Sequence, residues 1–227
     1  MLKINDKEVI SPGIVLETVL PPEAIGHRNE WASLDGLPAR FVTSYHQAYI
    51  RKVGLRVFGE TKREANKLRS ILIGRLVTES IVKIQFRHEP TYELGKLEEL
   101  NTGLWEAGTL PIEAVFLCPY GVSFGEEHEE TIGKVTVTGT AKMPPVFTVN
   151  PTGENLEVSN GTEHIRLENI ATGEIVIDCN KRTITQGSSN IREKLTIESR
   201  YFDLAPGVNN LSITGGTGKV RWTDRWI

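Results

Sequence analysis

Few residues in this chain stand at spacings that chemistry would need. There are five histidines, His27, His46, His88, His128 and His164, and no two have metal-ligand spacing. His128 lies inside Glu126-Glu127-His128-Glu129-Glu130, a run that could in principle face a hard cation. Carboxylates at neighbouring positions rarely converge on one ion, so a solvated acidic loop is the better reading. The run Gly215-Gly216-Thr217-Gly218-Lys219 looks like a phosphate loop. It fails because Val220 follows the lysine where Ser or Thr is required, and because the frame lacks its first glycine. No Gly-x-Ser-x-Gly occurs, and no carboxylate pair or Cys-His couple stands out. Cys118 and Cys179 are isolated and lie close to apolar Leu117 and Ile177, as expected of buried free thiols in a reducing compartment. Nothing here indicates an enzyme, a metal site or a cofactor.

Charge is the property that is patterned. Residues 51–87 hold ten Lys/Arg and three Asp/Glu, a net of +7, whereas residues 89–130 hold one Lys and ten Glu, a net of −9. Two readings follow. The two segments meet within one subunit or are simply solvated, or a basic surface on one copy meets an acidic surface on the next. On the second reading the candidate contact residues are Lys62, Arg63, Lys67 and Arg69 on one side and Glu98, Glu99, Glu126 and Glu127 on the other. The C-terminal KVRWTDRWI alternates Val220, Trp222 and Asp224 with Arg221, Thr223 and Arg225. It reads as a final strand with Trp222 and Trp226 in a core or a subunit contact. The functional alternative is an aromatic platform for sugar stacking.

The bulk composition restricts the class. With 227 residues, 39% apolar and 24% charged, the chain suits one large β domain or two smaller ones. A net charge of −3 argues against nucleic-acid binding driven by bulk charge. No apolar run approaches the roughly 18 residues of a membrane span. The first residues, MLKINDKEVI, lack the apolar stretch of a signal peptide, so synthesis in a cytoplasm is expected.

Several elements are legible. The start reads as a hairpin turning at Asn5-Asp6, followed by an extended stretch over 13–20. Residues 23–38 look loop-like, and strands follow around 41–45 and 49–58. Thr61 and Glu64 form a capping box, and Ala65, Leu68, Leu72 and Leu76 recur at helical spacing, which predicts a helix over 61–77. Alternation predicts strands at 82–87, 112–117 and 134–140. Residues 89–110 and 125–130 read as acidic loops. Met143-Pro144-Pro145 is the candidate linker, since two prolines break both helix and central strand. It divides the chain into 1–143 and 146–227. Beyond it, short strands alternate with Asn/Gly turns, as in an all-β jelly-roll or lectin-type sandwich. The final strand could instead return to the first domain.

Within YFDLAPGVNNLSITG, residues 201–215, Pro206 presets φ and Gly207 supplies the positive φ of a type II turn. The stretch therefore reads as a hairpin or a tight corner. Together with LENIATGEIVID, residues 167–178, it resembles the distal tail proteins of siphophages, the baseplate hub family. That family often shows an Asn-then-Thr-Gly-Glu turn and an aromatic-x-Leu-x-Pro-Gly-x-Asn corner, here carrying Pro206, Gly207 and Asn209. A third stretch, FLCPYGVSFGEE, fits the family's proline-containing segment, with Cys118 where Asp is usual.

The resemblance implies a mainly β chain. An N-terminal β domain with one packed helix would form a homohexameric ring, and a galectin-like β-sandwich would hang outside it. The implied partners are the tail tube protein, the tail-associated tip protein and receptor-binding proteins, with DNA only passing through the lumen and no membrane. The protein would be made in the bacterial cytoplasm and reside in the virion. On this reading the Pro-Gly-x-Asn corner is structural. The competing reading is a carbohydrate-binding protein that recognises host cell-wall polysaccharide.

Overall fold

A computed structural model describes residues 1–21, 27–32, 40–86 and 89–227; for 27–32 and 40–46 it describes the backbone. The rest of the stretch expected to be loop, and His88, lie outside the described residues. The chain forms two compact units, Met1–Phe124 with Ile227, and Gly125–Trp226. The division falls earlier than the Met143-Pro144-Pro145 linker expected from sequence, because Val135, Val137 and Met143 are buried in the second core.

The first unit contains β1 (Leu2–Ile4), β2 (Lys7–Glu8), β3 (Ile14–Val19), β4 (His27–Ala32), β5 (Arg40–His46), β6 (Tyr49–Phe58), α1 (Lys62–Leu76), β7 (Val82–Phe86), β8 (Tyr92–Thr102), β9 (Thr109–Cys118) and the first residues of β10 (Ser123–Thr131). The β1–β2 hairpin turns on Asn5 and Asp6, both at positive φ, as the sequence predicts. The long strand β8 joins two ladders: its start pairs with β7, and the rest, past a bulge between Leu97 and Glu99, pairs with β9. β9 pairs with β6, and β6 with β3. The inward positions Ile14, Val53, Leu55, Val57, Leu110, Ile112, Ala114 and Phe116 share one core with Leu2, Ile4, Ile84 and the helix residues Ala65, Leu72 and Leu76. The helix starts where its capping box predicts. Glu64 N donates to Thr61 Oγ1 at 3.2 Å, and the Glu64 carboxylate accepts from Glu60 N at 2.9 Å.

Two sequence expectations need correction here. Residues 92–102, read as part of an acidic loop, are strand β8, and residues 27–32, read as loop, are strand β4 paired with β5. In both, cross-strand backbone bonding outweighs a local composition poor in β-formers.

The second unit continues β10 and adds β11 (Lys134–Val137), β12 (Val146–Pro151), β13 (Leu156–Ser159), β14 (His164–Leu167), β15 (Ile175–Asp178), β16 (Thr183–Gln186), β17 (Ser189–Asn190), β18 (Gly207–Asn210), β19 (Ser212–Thr214) and β20 (Gly216–Trp226). The supposed loop 125–130 belongs to strand β10, which lies beside β20. β20 pairs over Gly216–Arg221 with β12, and Gly216–Trp226 as a whole lies in the second unit. β12 also pairs with β15, followed by β16 and β17. Shorter ladders, β14–β13–β19 and β11–β18, complete the unit. Phe147, Val149, Leu156, Ile165, Leu167, Ile175, Ile177, Val220 and Trp222 fill its core. No helix among the described residues is long and apolar enough to cross a membrane.

Candidate functional site

The charge pattern is largely settled within each unit. In the first, Arg51 pairs with Glu89 at 2.5 Å and Glu93 at 3.5 Å, Arg56 with Glu17 at 2.5 Å, and Lys83 with Asp6 at 3.0 Å. Arg69, a candidate contact residue, donates from Nε to Thr102 Oγ1 at 3.0 Å. In the second unit the acidic run faces β20: Glu129 meets Lys219 at 2.8 Å, and Glu127 meets Arg221 at 3.9 Å. Glu127 therefore has its cation in its own chain. Lys62, Arg63 and Lys67, Glu98 and Glu99 on β8, and Glu126 on β10 are exposed and make no ion pair among the described residues. The free basic face of α1 and the free carboxylates of β8 belong to the same unit.

Sequence reasoning missed a buried polar cluster. Arg51 is 3% exposed and Glu93 2% exposed, in inward register on β6 and β8. The Arg51 guanidinium also lies 4.8 Å from the centre of the Phe86 ring. Burial pushes the Glu93 carboxyl up, against the opposing pull of Arg51. Its oxygen lies 3.9 Å from Cys118 Sγ. The available signal was Arg51 itself, standing at an inward position between Tyr49 and Val53 in an alternating strand.

The sugar-platform reading loses its first residue. Trp222 is 2% exposed, within the second core, and stacks on His128 with centroids 5.2 Å apart. Trp226 is half-buried, with its indole nitrogen close over Gly125. The GGTGK run is a strand entry. A Cβ on Gly215 would stand 2.1 Å from Asn155 O, and one on Gly218 2.6 Å from Thr148 O, so these glycines allow β20 to pass close to its neighbours.

Both sequence signatures close turns. Gly207 has φ +90, as the type II reading requires. The stretch makes a corner: Leu204 and Met143 exchange backbone hydrogen bonds, then β18 leaves to pair with β11. The Asn209 amide locks the corner. Its Oδ1 accepts from Ala205 N at 3.0 Å, and its Nδ2 donates to Ala205 O at 2.8 Å and Gly207 O at 3.1 Å. In the other signature Asn169 takes φ +55, and Gln186 Nε2 donates to Ala171 O at 2.9 Å, tying the turn to β16.

Both signatures lie in a segment that matches a known family. Residues 138–226 match the family model for the C-terminal domain of the siphovirus-type tail component, a segment that includes both signatures. The distal tail protein of Bacillus phage SPP1 is 24% identical over 187 residues, covering 75% of this chain and 74% of that protein. The crystal structure of the SPP1 Dit protein, described as a paradigm of hub adsorption apparatus in phages infecting Gram-positive hosts, superposes with TM-score 0.83. Its identity is 18%, and the match covers 100% of this chain and 98% of that one. A chain of the phage P2 baseplate in its activated conformation matches at TM-score 0.47 and 10% identity, over 93% of this chain and 90% of that one. Residues 138–226 therefore match the C-terminal domain of the siphovirus-type tail component. Over the whole chain the likeness to the SPP1 protein is one of fold.

Proposed function

We propose that this chain is a hub of the phage tail tip that assembles head to tail into a closed ring of six. The tail tube protein would dock above, the tail-associated tip protein below and receptor-binding proteins outside, while DNA passes through the lumen. The feature carrying the reading is the β4–β5 hairpin, which pairs with no other strand among the described residues. An isolated two-stranded hairpin is marginal in water and gains stability by lying on another surface. Its root is well defined: Val19 pairs with Val53, and Leu20 N donates to Lys52 O at 3.1 Å, so the chain leaves β3 and returns to β6 at adjacent points. An arm of this kind, held by a neighbouring copy, makes a heterologous contact, the type that closes rings.

The test is the mass in solution by light scattering, for the full chain and for a variant with residues 21–47 replaced by a short Gly-Ser linker. The expected result is a six-fold mass for the full chain and a folded monomer for the variant. A full chain that stays monomeric at every concentration would refute the ring. Carbohydrate binding is the weaker reading, because Trp222 presents no exposed ring.

A further inference from the structure

The β13–β14 hairpin turns through Asn160 and Gly161, and Asn160 is the one asparagine of the chain that a glycine follows. An Asn-Gly pair readily loses the asparagine side-chain amide, because glycine hinders attack by its own backbone nitrogen least. Packing does not shield this pair. Gly161 is exposed at φ +87, and a Cβ there would meet nothing within 4 Å. Hydrogen bonds hold the turn instead. Gly161 N donates to Ser159 Oγ at 3.0 Å, and that hydroxyl donates onward to Glu163 O at 3.0 Å. Asn160 Oδ1 accepts from Thr162 N at 2.9 Å and from Glu163 N at 2.7 Å. Loss of the amide needs Gly161 N stripped of its proton and turned onto Asn160 Cγ. Here Ser159 engages that N–H, and the Thr162 and Glu163 amides fix the side-chain carbonyl.

We propose that Asn160-Gly161 is a latent modification site, which the Ser159 hydroxyl keeps closed while the hairpin is folded. When the turn opens, Gly161 N gives its proton to a solvent base and bonds to Asn160 Cγ. The Cγ–Nδ2 bond breaks, and Nδ2 takes up a proton and leaves as ammonia. Water then opens the cyclic imide at either carbonyl. One product is aspartate, whose carboxylate still accepts from the Thr162 and Glu163 amides. The other is isoaspartate, which adds a methylene to the backbone between Ser159 and His164, residues that pair across the hairpin. The added length works against the register that places Val158 and Ile165 in the second core. Local opening of the turn is thereby recorded as a permanent chemical change. The inference is independent of the ring reading.

The full chain held at pH 8 and 37 °C, folded or in guanidinium, tests it. Position 160 is followed in the tryptic peptide 143–166 by the mass gained when an amide becomes an acid, with Asn155 of the same peptide as internal reference. The unfolded chain should react at Asn160 well before the folded one. Folded Ser159→Ala should react about fivefold faster than folded wild type, as expected for loss of one hydrogen bond. Ser159→Thr, which keeps the hydroxyl, should stay at the wild-type rate. Ser159→Cys, whose sulfur is a weak acceptor, should show the same rise as the alanine variant and serves in its place if that variant does not fold. Folded wild type reacting as fast as the unfolded chain overturns the closed site. Alanine and cysteine variants that react no faster than wild type overturn the role of Ser159.

Discussion

The buried Asp224 carboxylate lies 3.1 Å from His128 Nε2, pairing β20 with β10 at a point where the histidine ring also stacks on Trp222. Thr138 Oγ1 donates to the same carboxylate oxygen. His128→Ala would remove a hydrogen-bond partner from a buried charge and a ring from Trp222. The expected loss is about 1–3 kcal/mol, read by urea unfolding of the full chain. His128→Asn, which keeps a donor, should lose less. Equal midpoints for wild type and His128→Ala would show that the pair carries no stability.

Two carboxylates should give opposite pH slopes. Burial alone would raise Asp224, but the Thr138 and His128 hydrogen bonds and the His128 charge outweigh it and hold the group below its ordinary 3.8. Its contribution is therefore present above the unfolded value and lost as pH falls through the folded one. Glu93 is raised instead, first by burial, so the folded state binds its proton more tightly and stability falls as pH rises above its ordinary 4.5. Unfolding midpoints measured from pH 3 to 8 should lose the acid limb in Asp224→Asn and the opposing slope in Glu93→Gln. Unchanged profiles in both would refute the assignments.

Both thiols should be inert in the folded chain. Cys118 and Cys179 are buried, and burial pushes each up to about 12, which leaves little thiolate at neutral pH. A thiol reagent such as dithionitrobenzoate at pH 8 should titrate neither in native buffer and both in guanidinium. Fast labelling of either under native conditions would contradict its burial.

Local signals were readable where the structure is local. The α1 cap, the Asn5-Asp6 turn and the positive φ at Gly207 each depend on residues a few positions apart, and all three occur as the sequence implies. Strand β8 was hidden because Glu93, Gly95, Lys96, Glu98 and Glu99 are poor strand formers, and its order comes from β7 and β9, partners remote in sequence. Met143-Pro144-Pro145 does not coincide with the division between the two units, because prolines mark a strand edge as readily as a boundary. Pro145 is buried there, and its carbonyl accepts from Cys179 N at 3.1 Å. The charge segregation was visible, but which charges are satisfied at home depends on strand register, which composition does not reveal.

That register separates two groups of acids. Glu127 and Glu129 face Arg221 and Lys219 across β10 and β20, and the Lys219 hydrogen bond and charge lower Glu129. Reversing both acids to Lys should disturb this ladder and leave assembly unchanged. Reversing Glu98 and Glu99, which make no ion pair among the described residues, should weaken assembly, and rising salt should mimic the effect. Sedimentation of the two double variants at low and high salt distinguishes them. An assembly defect confined to the Glu127 and Glu129 variant would move the interface to the second unit.

The corner at Pro206 and Gly207 allows backbone conformation to be separated from packing. A Cβ on Gly207 would meet nothing within 4 Å, so Gly207→Val adds no clash and should cost only what φ +90 imposes on a β-branched residue. That cost is about 1–3 kcal/mol. Pro206→Ala acts through the unfolded chain and should cost less, about 0.4–1 kcal/mol. Asn209→Ala removes all three hydrogen bonds that the side chain makes to Ala205 and Gly207, and these close the turn before β18. Two of them involve the Ala205 backbone, so the loss should match or exceed that of Gly207→Val, while Asn209→Asp, which keeps the acceptor but not the donor, should fall between. The full series can be read from thermal midpoints. If Asn209→Ala unfolds like wild type while Gly207→Val does not, the corner is held by backbone conformation alone, and the asparagine of the signature serves something other than the turn.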